Sequence, residues 1–199
     1  MSLANGVKGG MTPSRKTSGA PENGALVQIP VKNSYATALF HGDPVKLSAG
    51  YLQIADATSK IVGVFQGYQY IDPTTKQLTQ LSYFPASTSS AGPINGSNDG
   101  LGLITMDVNG SQVFIMQADA TVSIGMIGNK YRVSIGTGST LTGQSAAVLA
   151  PALTVSATKG DQVRLVGIYA LPDNLYGGTT PTRATVEVIL SNPGITGGN

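Results

Sequence analysis

The sequence predicts an all-β fold: a sandwich or barrel-like body of many short antiparallel strands with an extended N-terminal arm. Three observations predict it. Short runs rich in Val, Ile, Leu, Phe and Tyr recur along the chain, and many alternate apolar with polar residues. Turn signals of Gly, Pro, Asn and Asp separate them about every 8–12 residues, the spacing of sandwiches and barrels. No amphipathic stretch of ten or more residues carries a helical period.

Residues 1–25 read as the arm. They contain Gly6, Gly9, Gly10, Pro13, Gly19, Pro21 and Gly24 and almost no apolar periodicity. Such a segment buries too little apolar area to fold alone. It reads either as a disordered tail or as an arm that orders on a partner surface. In the second case its basic residues Lys8, Arg15 and Lys16, set against the single acid Glu22, are the candidate contacts. Removing residues 1–24 is then expected to leave the body folded.

The body spans residues 26–199. ALVQIPV (25–31) alternates, and Pro30, which cannot donate to a ladder, predicts an edge strand. TALFHGDPVKLSAGYLQIA (37–55) gives short strands split by Gly-Asp-Pro and Ala-Gly turns. KIVGVFQGYQYI (60–71) and QLTQLSYF (77–84) are strands around a DPTTK turn (72–76). PASTSSAGPINGSNDG (85–100) is a long loop, either a surface excursion or a break between two halves. LITMDV (103–108) and SQVFIM (111–116) flank Asn109-Gly110, which predicts a type I′ hairpin because both residues tolerate positive φ.

Residues 121–136 give two more strands around Gly128-Asn129, and Gln144–Leu149 suits one helical turn. QVRLVGIYAL (162–171) and RATVEVIL (183–190) are strong strands joined by a loop. Gly42-Asp43-Pro44-Val45-Lys46-Leu47 is echoed by Gly160-Asp161-Gln162-Val163-Arg164-Leu165. The echo suits a duplication or two common Gly-Asp turns.

Composition narrows the function. At 199 residues the chain can bury a proper core, yet charged residues are only 11%, against about 25% in ordinary soluble domains. Much of the surface is therefore expected to rest on other protein. With no Cys there are no disulfides, thiolate zinc sites or Cys nucleophiles. A net charge of +2 is too small for a dedicated nucleic-acid binder, and the arm lacks aromatics for base stacking. The first residues have no apolar core, so no secretory signal is expected, and no run is long enough to span a bilayer. The expectation is a product of a cytoplasm that reaches any exterior by assembly or lysis.

Little in the sequence points to catalysis. The one histidine, His41, lies near Asp43, but no G-x-S-x-G elbow presents a nucleophile; a histidine at a strand end before a turn accounts for it. The aspartates mostly abut Gly, Pro, Asn or Ala, where Asp closes turns through local backbone bonds. Asn95–Gly100 imitates part of a calcium loop, but Asn95 and Met106 stand where Asp and Glu are required. Phosphate-loop motifs are absent. No cofactor or metal and no enzymatic activity is expected.

The order of several motifs resembles the head decoration or cement proteins of tailed bacteriophages. These are Gly42-Asp43-Pro44-Val45-Lys46-Leu47, Gly50-Tyr51-Leu52, Ile61-Val62-Gly63-Val64, Val113–Asp119 with Ile127-Gly128-Asn129, Val163–Ile168 with Leu171-Pro172-Asp173-Asn174, and Thr185–Leu190. The resemblance covers roughly residues 38–190. It implies a β-rich virion structural protein, often trimeric, on the outside of an icosahedral capsid, bridging subunits of the major capsid protein. Two rivals remain open. One is a fibre or adhesin module of the phage particle that binds glycans through its eight Tyr, among them Tyr68 and Tyr70. The other is a glycan hydrolase.

Overall fold

The computed structural model describes residues 9–72, 74–86, 100–154, 162–169, 184–191 and 193. Among them are twelve strands: β1 (Thr12–Lys16), β2 (Val27–Val31), β3 (Pro44–Ser48), β4 (Tyr51–Ile54), β5 (Gly63–Ile71), β6 (Leu78–Leu81), β7 (Gly100–Met106), β8 (Gln112–Gln117), β9 (Lys130–Ser134), β10 (Val148–Thr154), β11 (Val163–Ile168) and β12 (Thr185–Leu190). They form two six-stranded antiparallel sheets in a sandwich-like all-β body. The first runs β1-β8-β12-β11-β9-β10 and the second β2-β7-β5-β3-β4, with β6 also paired to β5.

Both sheets curl. In the second, β2 and β4 lie at opposite ends of the path yet come close together. Their side chains converge with those of β5 on Gly102, where an added Cβ would meet Leu52, Val31 and Phe65. A core of Ile29, Val31, Val45, Leu52, Phe65, Tyr68 and Ile104 fills this curl, closed by Leu39 and Phe84. In the first sheet, Asp119 N donates to Leu149 O at 2.9 Å, drawing the end of β8 toward β10. Phe114, Met116, Tyr131, Leu149, Leu165, Val186 and Val188 fill its concave side, and Ala55, Ile61 and Val64 of the second sheet's region join that cluster.

A bulge sets the parity of β5. Phe65 pairs with Ile104 and Gly67 with Leu103, so Gln66 is the extra residue. It turns Tyr68 and Tyr70 onto the same side as Phe65 despite the odd spacing. Pro30 stands in β2, at the end of the second sheet's path, as an edge strand allows.

Four sequence expectations change. Asn109-Gly110 does not close a hairpin: β7 belongs to the second sheet and β8 to the first. The segment crosses between sheets. Asp107 N donates to Val62 O, Ser111 N donates to Asp107 Oδ1 at 3.0 Å, and Gly110 takes φ +66° against the carbonyl of Leu190. Alternation and a turn dipeptide are common to a hairpin and a crossover, so the pattern cannot choose between them.

The first of the two strands expected in 121–136 is instead a turn of 3-10 helix at Ile124–Met126. Gly125 in its middle has no side chain to pack in a ladder. Gln144–Leu149 is not helical. Its N–H groups are committed elsewhere than to a helical ladder, Ser145 N to His41 O of another segment and Ala147 N to the Ser145 side chain, before β10 begins at Val148.

The arm boundary at residue 25 also moves. Met11 is fully buried, and β1 pairs with β8 with a bulge between Pro13 and Arg15. Gly9–Lys16 therefore belongs to the body. The echoed segments become β3 and β11, one in each sheet, while Gly160 and Asp161 lie outside the described residues.

Candidate functional site

A buried polar node lies where three distant segments meet. The Gly42-Asp43 turn packs on Gly9-Gly10 so closely that a Cβ at Gly42 would overlap the carbonyl of Gly9. Met11 N donates to Gly42 O at 2.8 Å, and Gly42 N donates to Phe65 O at 2.8 Å. Asp43 is fully buried. Its Oδ2 accepts from Phe40 N at 2.8 Å, and its Oδ1 accepts from Ser145 Oγ at 2.5 Å. Burial pushes its carboxyl up to about 6, against the pull of the Ser145 and Phe40 hydrogen bonds.

The node unites a histidine, a serine and an aspartate, but not as a triad. Ser145 is buried and gives its proton to Asp43 rather than to His41. Nδ1 of His41 is buried without a hydrogen-bond partner. Nucleophilic catalysis needs a histidine bonded to the hydroxyl, with an orienting group behind it. Here the carboxylate ties its own turn to a distant one, which is a structural role.

The other turn aspartates behave as their sequence context predicts. Asp56 accepts from Thr58 N at 2.9 Å, and Asp72 from Thr74 N at 2.7 Å and Thr75 N at 3.0 Å. The Lys46 ammonium at 2.6 Å, then Ser59 and Thr58, hold the Asp56 carboxyl well below the usual range. The backbone N–H groups of Thr75 and Thr74 lower that of Asp72. No group of three or more His, Asp or Glu among the described residues is arranged to hold a metal ion.

The predicted arm contacts are placed differently from one another. Lys8 lies outside the described residues. Arg15 Nη2 meets Glu187 Oε2 at 2.8 Å, across β8 from its own strand, and Lys16 Nζ lies 3.7 Å from Glu22 Oε2. The two basic side chains are thus turned toward the chain's only two glutamates. The calcium-like segment 95–99 lies outside the described residues. Of the tyrosines singled out for glycan stacking, Tyr68 and Tyr70 stack on each other at 5.6 Å inside the core, so neither offers a free platform.

Searches of protein-family models, curated proteins and solved structures returned no match to this chain. The site is therefore read from its own residues.

Its distinctive surface feature is aliphatic. Leu141 is 94% exposed, Leu78 70%, Ile71 62% and Ile124 58%. These side chains stand on fixed supports. Leu141 tops a turn closed by Gly143 N donating to Ser139 O at 2.7 Å, with Gly143 pressed against Ser82. Ile71 and Leu78 form the last cross-strand pair of the β5–β6 hairpin, whose turn Asp72 caps. Sequence reading missed them because alternation marks one face apolar without saying which apolar residues lie outside. The signal in hindsight is a lone Leu within the polar run Ser139–Gly143.

Proposed function

We propose that the chain is a virion structural protein that decorates and cements the outside of an icosahedral phage capsid by bridging major capsid subunits. The observation that carries this reading is the set of exposed aliphatic side chains on rigid strands and turns of separate elements, on a body with 11% charged residues. Exposed apolar residues on fixed supports suit a protein held between several neighbours. A rigid all-β body with filled cores suits a brace, since it adds buried area across a seam without itself deforming. The motif order that resembles phage decoration proteins supplies the identity of the neighbours, and with it a trimeric body assembled in the bacterial host and carried on the virion exterior.

The mechanism is linkage. A protein that binds the matured shell and not its precursor stabilises the matured state by its binding free energy. Several contacts per oligomer raise occupancy through effective concentration.

The test mixes purified chain with mature and precursor shells. Co-sedimentation with mature shells, density on their exterior by electron microscopy and a raised rupture temperature are expected. Leu141→Asp is expected to weaken occupancy without changing the fold. Failure to bind either shell would remove the proposal.

A further inference from the structure

We infer that Asn109 is a site of self-modification: its side chain closes on the Gly110 amide to a succinimide, which water opens to isoaspartate or aspartate at the crossover between the sheets. Asn-Gly is the pair most open to this ring closure, because Gly has no Cβ to shield its amide nitrogen. The chain holds four such pairs, beginning at Asn5, Asn23, Asn95 and Asn109. Asn5 and Asn95 lie outside the described residues. Asn23 and Asn109 are both exposed, but they are bound differently.

At Asn109 the reacting groups are unbonded. Residues 108–110 form a bend between β7 and β8, fixed at its ends by Asp107 N donating to Val62 O at 3.1 Å and Ser111 N donating to Asp107 Oδ1 at 3.0 Å. Neither the Asn109 carboxamide nor the peptide group it shares with Gly110 is hydrogen-bonded to a described residue. Turning that peptide toward the side chain therefore breaks no hydrogen bond. At Asn23 two bonds oppose the same motion. Ala25 N donates to Asn23 Oδ1 at 3.1 Å, and Gly24 N, the nucleophile there, donates to Glu22 Oε1 at 3.2 Å. A carboxylate acceptor holds the proton that this nitrogen has to lose.

The reaction consumes only water. Gly110 N gives its proton to solvent and attacks Asn109 Cγ. The N–Cγ bond forms, the Cγ–Nδ2 bond breaks, and ammonia leaves with a solvent proton. Water then opens the ring at Cγ to give aspartate, or at the main-chain carbonyl carbon of residue 109 to give isoaspartate. In isoaspartate the backbone runs through the side chain and is one methylene longer. That length enters between two fixed points, Asp107 bonded to Val62 and Gly110 seated against Leu190 O. Both products add a negative charge near Asp107, a buried residue whose Oδ2 has no hydrogen-bond partner among the described residues. Like charge beside a buried carboxyl is unfavourable. The modification is thus an irreversible ageing step that loosens the junction of the two sheets. It needs no partner, so it is independent of the capsid reading.

Peptide mapping by mass spectrometry tests it, on purified full chain incubated at mildly alkaline pH, once folded and once in guanidinium chloride. In the folded chain Asn109 is expected to convert at least about threefold faster than Asn23, the factor an ordinary hydrogen bond supplies. In denaturant the two rates are expected to converge. Asn109→Gln cannot form the five-membered ring and is expected to stop conversion at this position without changing the fresh chain's melting temperature. Aged wild-type chain is expected to melt lower than fresh chain, and aged Asn109→Gln to lose less. Asn109 converting no faster than Asn23 in the folded chain overturns the inference. So does a rate ratio that unfolding leaves unchanged, since sequence alone then sets it. An Asn109→Gln chain that loses as much stability on ageing as the wild type removes the role given to the crossover.

Discussion

Ser145 donates its hydroxyl proton to Asp43 across 102 positions of sequence, with both side chains buried. The bond joins the turn before β3 to the segment before β10, and the same turn seats Gly10. It fastens the N-terminal strand and both sheets' connections at one point, at the cost of a carboxyl group taken out of water.

That cost gives a pH signature. Burial raises the Asp43 carboxyl from 3.8 to about 6 in the folded chain. Between those values the folded state holds a proton that the unfolded state has released. The protonated form's advantage is therefore complete below pH ~4 and lost as pH rises through about 6. At about 1.4 kcal/mol per pH unit the swing is about 3 kcal/mol. Denaturant titrations at pH 4.5 and 7.5 are expected to show a fall in stability with pH that Asp43→Asn removes. An identical pH dependence in the variant would assign the swing to other groups.

The N-terminal strand makes a second prediction, opposite to the one its composition suggests. Met11 lies in the first sheet's core, and β1 is hydrogen-bonded to β8. Met11→Ala is expected to cost about 2–5 kcal/mol through lost burial and the cavity left behind. Removing residues 1–24 takes the whole strand and is expected to lower the melting temperature more than Met11→Ala does. Arg15→Ala, whose ion pair is partly exposed, is expected to cost under about 1 kcal/mol. Calorimetry of the three variants gives the ranking, and a truncated chain as stable as the full one would return residues 9–16 to the status of an arm.

These cases show which parts of the fold were legible. Strand composition located β2, β3, β5, β6, β11 and β12, and Pro30 marked an edge, because both signals are local. β1 was hidden because Thr12–Lys16 contains no apolar residue and is held by a neighbour's ladder and by Met11 just before it. The partner of β7 was hidden because pairing is a long-range choice: Ile104 lies beside Val27 and Phe65, not beside the strand that follows it. The candidate contact surface was least legible. Ile71 and Leu78 read as ordinary strand residues, and only the register reveals that they point outward together.

The crossover at Asn109-Gly110 gives a third prediction. Gly110 sits at φ +66°, where a side chain costs about 1–2 kcal/mol in backbone strain, and an added Cβ would lie 2.8 Å from Leu190 O. Gly110→Ala is expected to lower stability by about 2 kcal/mol or more. Asp107→Ala removes the acceptor of Ser111 N and is expected to cost about 1 kcal/mol. Thermal melts of the two variants and their combination check this. Because both residues fix the same turn, the double variant is expected to lose less than the sum.

Gly100 and Gly102 test how tightly the second sheet is filled. A Cβ on Gly100 would overlap the Tyr68 ring, and one on Gly102 would press on Leu52 at 2.6 Å and Val31 at 3.1 Å. Tyr68 is completely buried and packs edge-on to Phe84 at 4.9 Å, so it has no room to withdraw. Overfilling such a core typically costs about 1–3 kcal/mol. Gly100→Ala and Gly102→Ala are each expected to fall in or above that range. Gly125→Ala, with no atom within 4 Å of the added methyl group, is expected to be neutral or slightly stabilising. Equilibrium unfolding of the three variants decides the matter. Comparable stability for all three would mean that Tyr68 is not held against the glycine-lined strand, and that the curl closing the second sheet is looser than its packing implies.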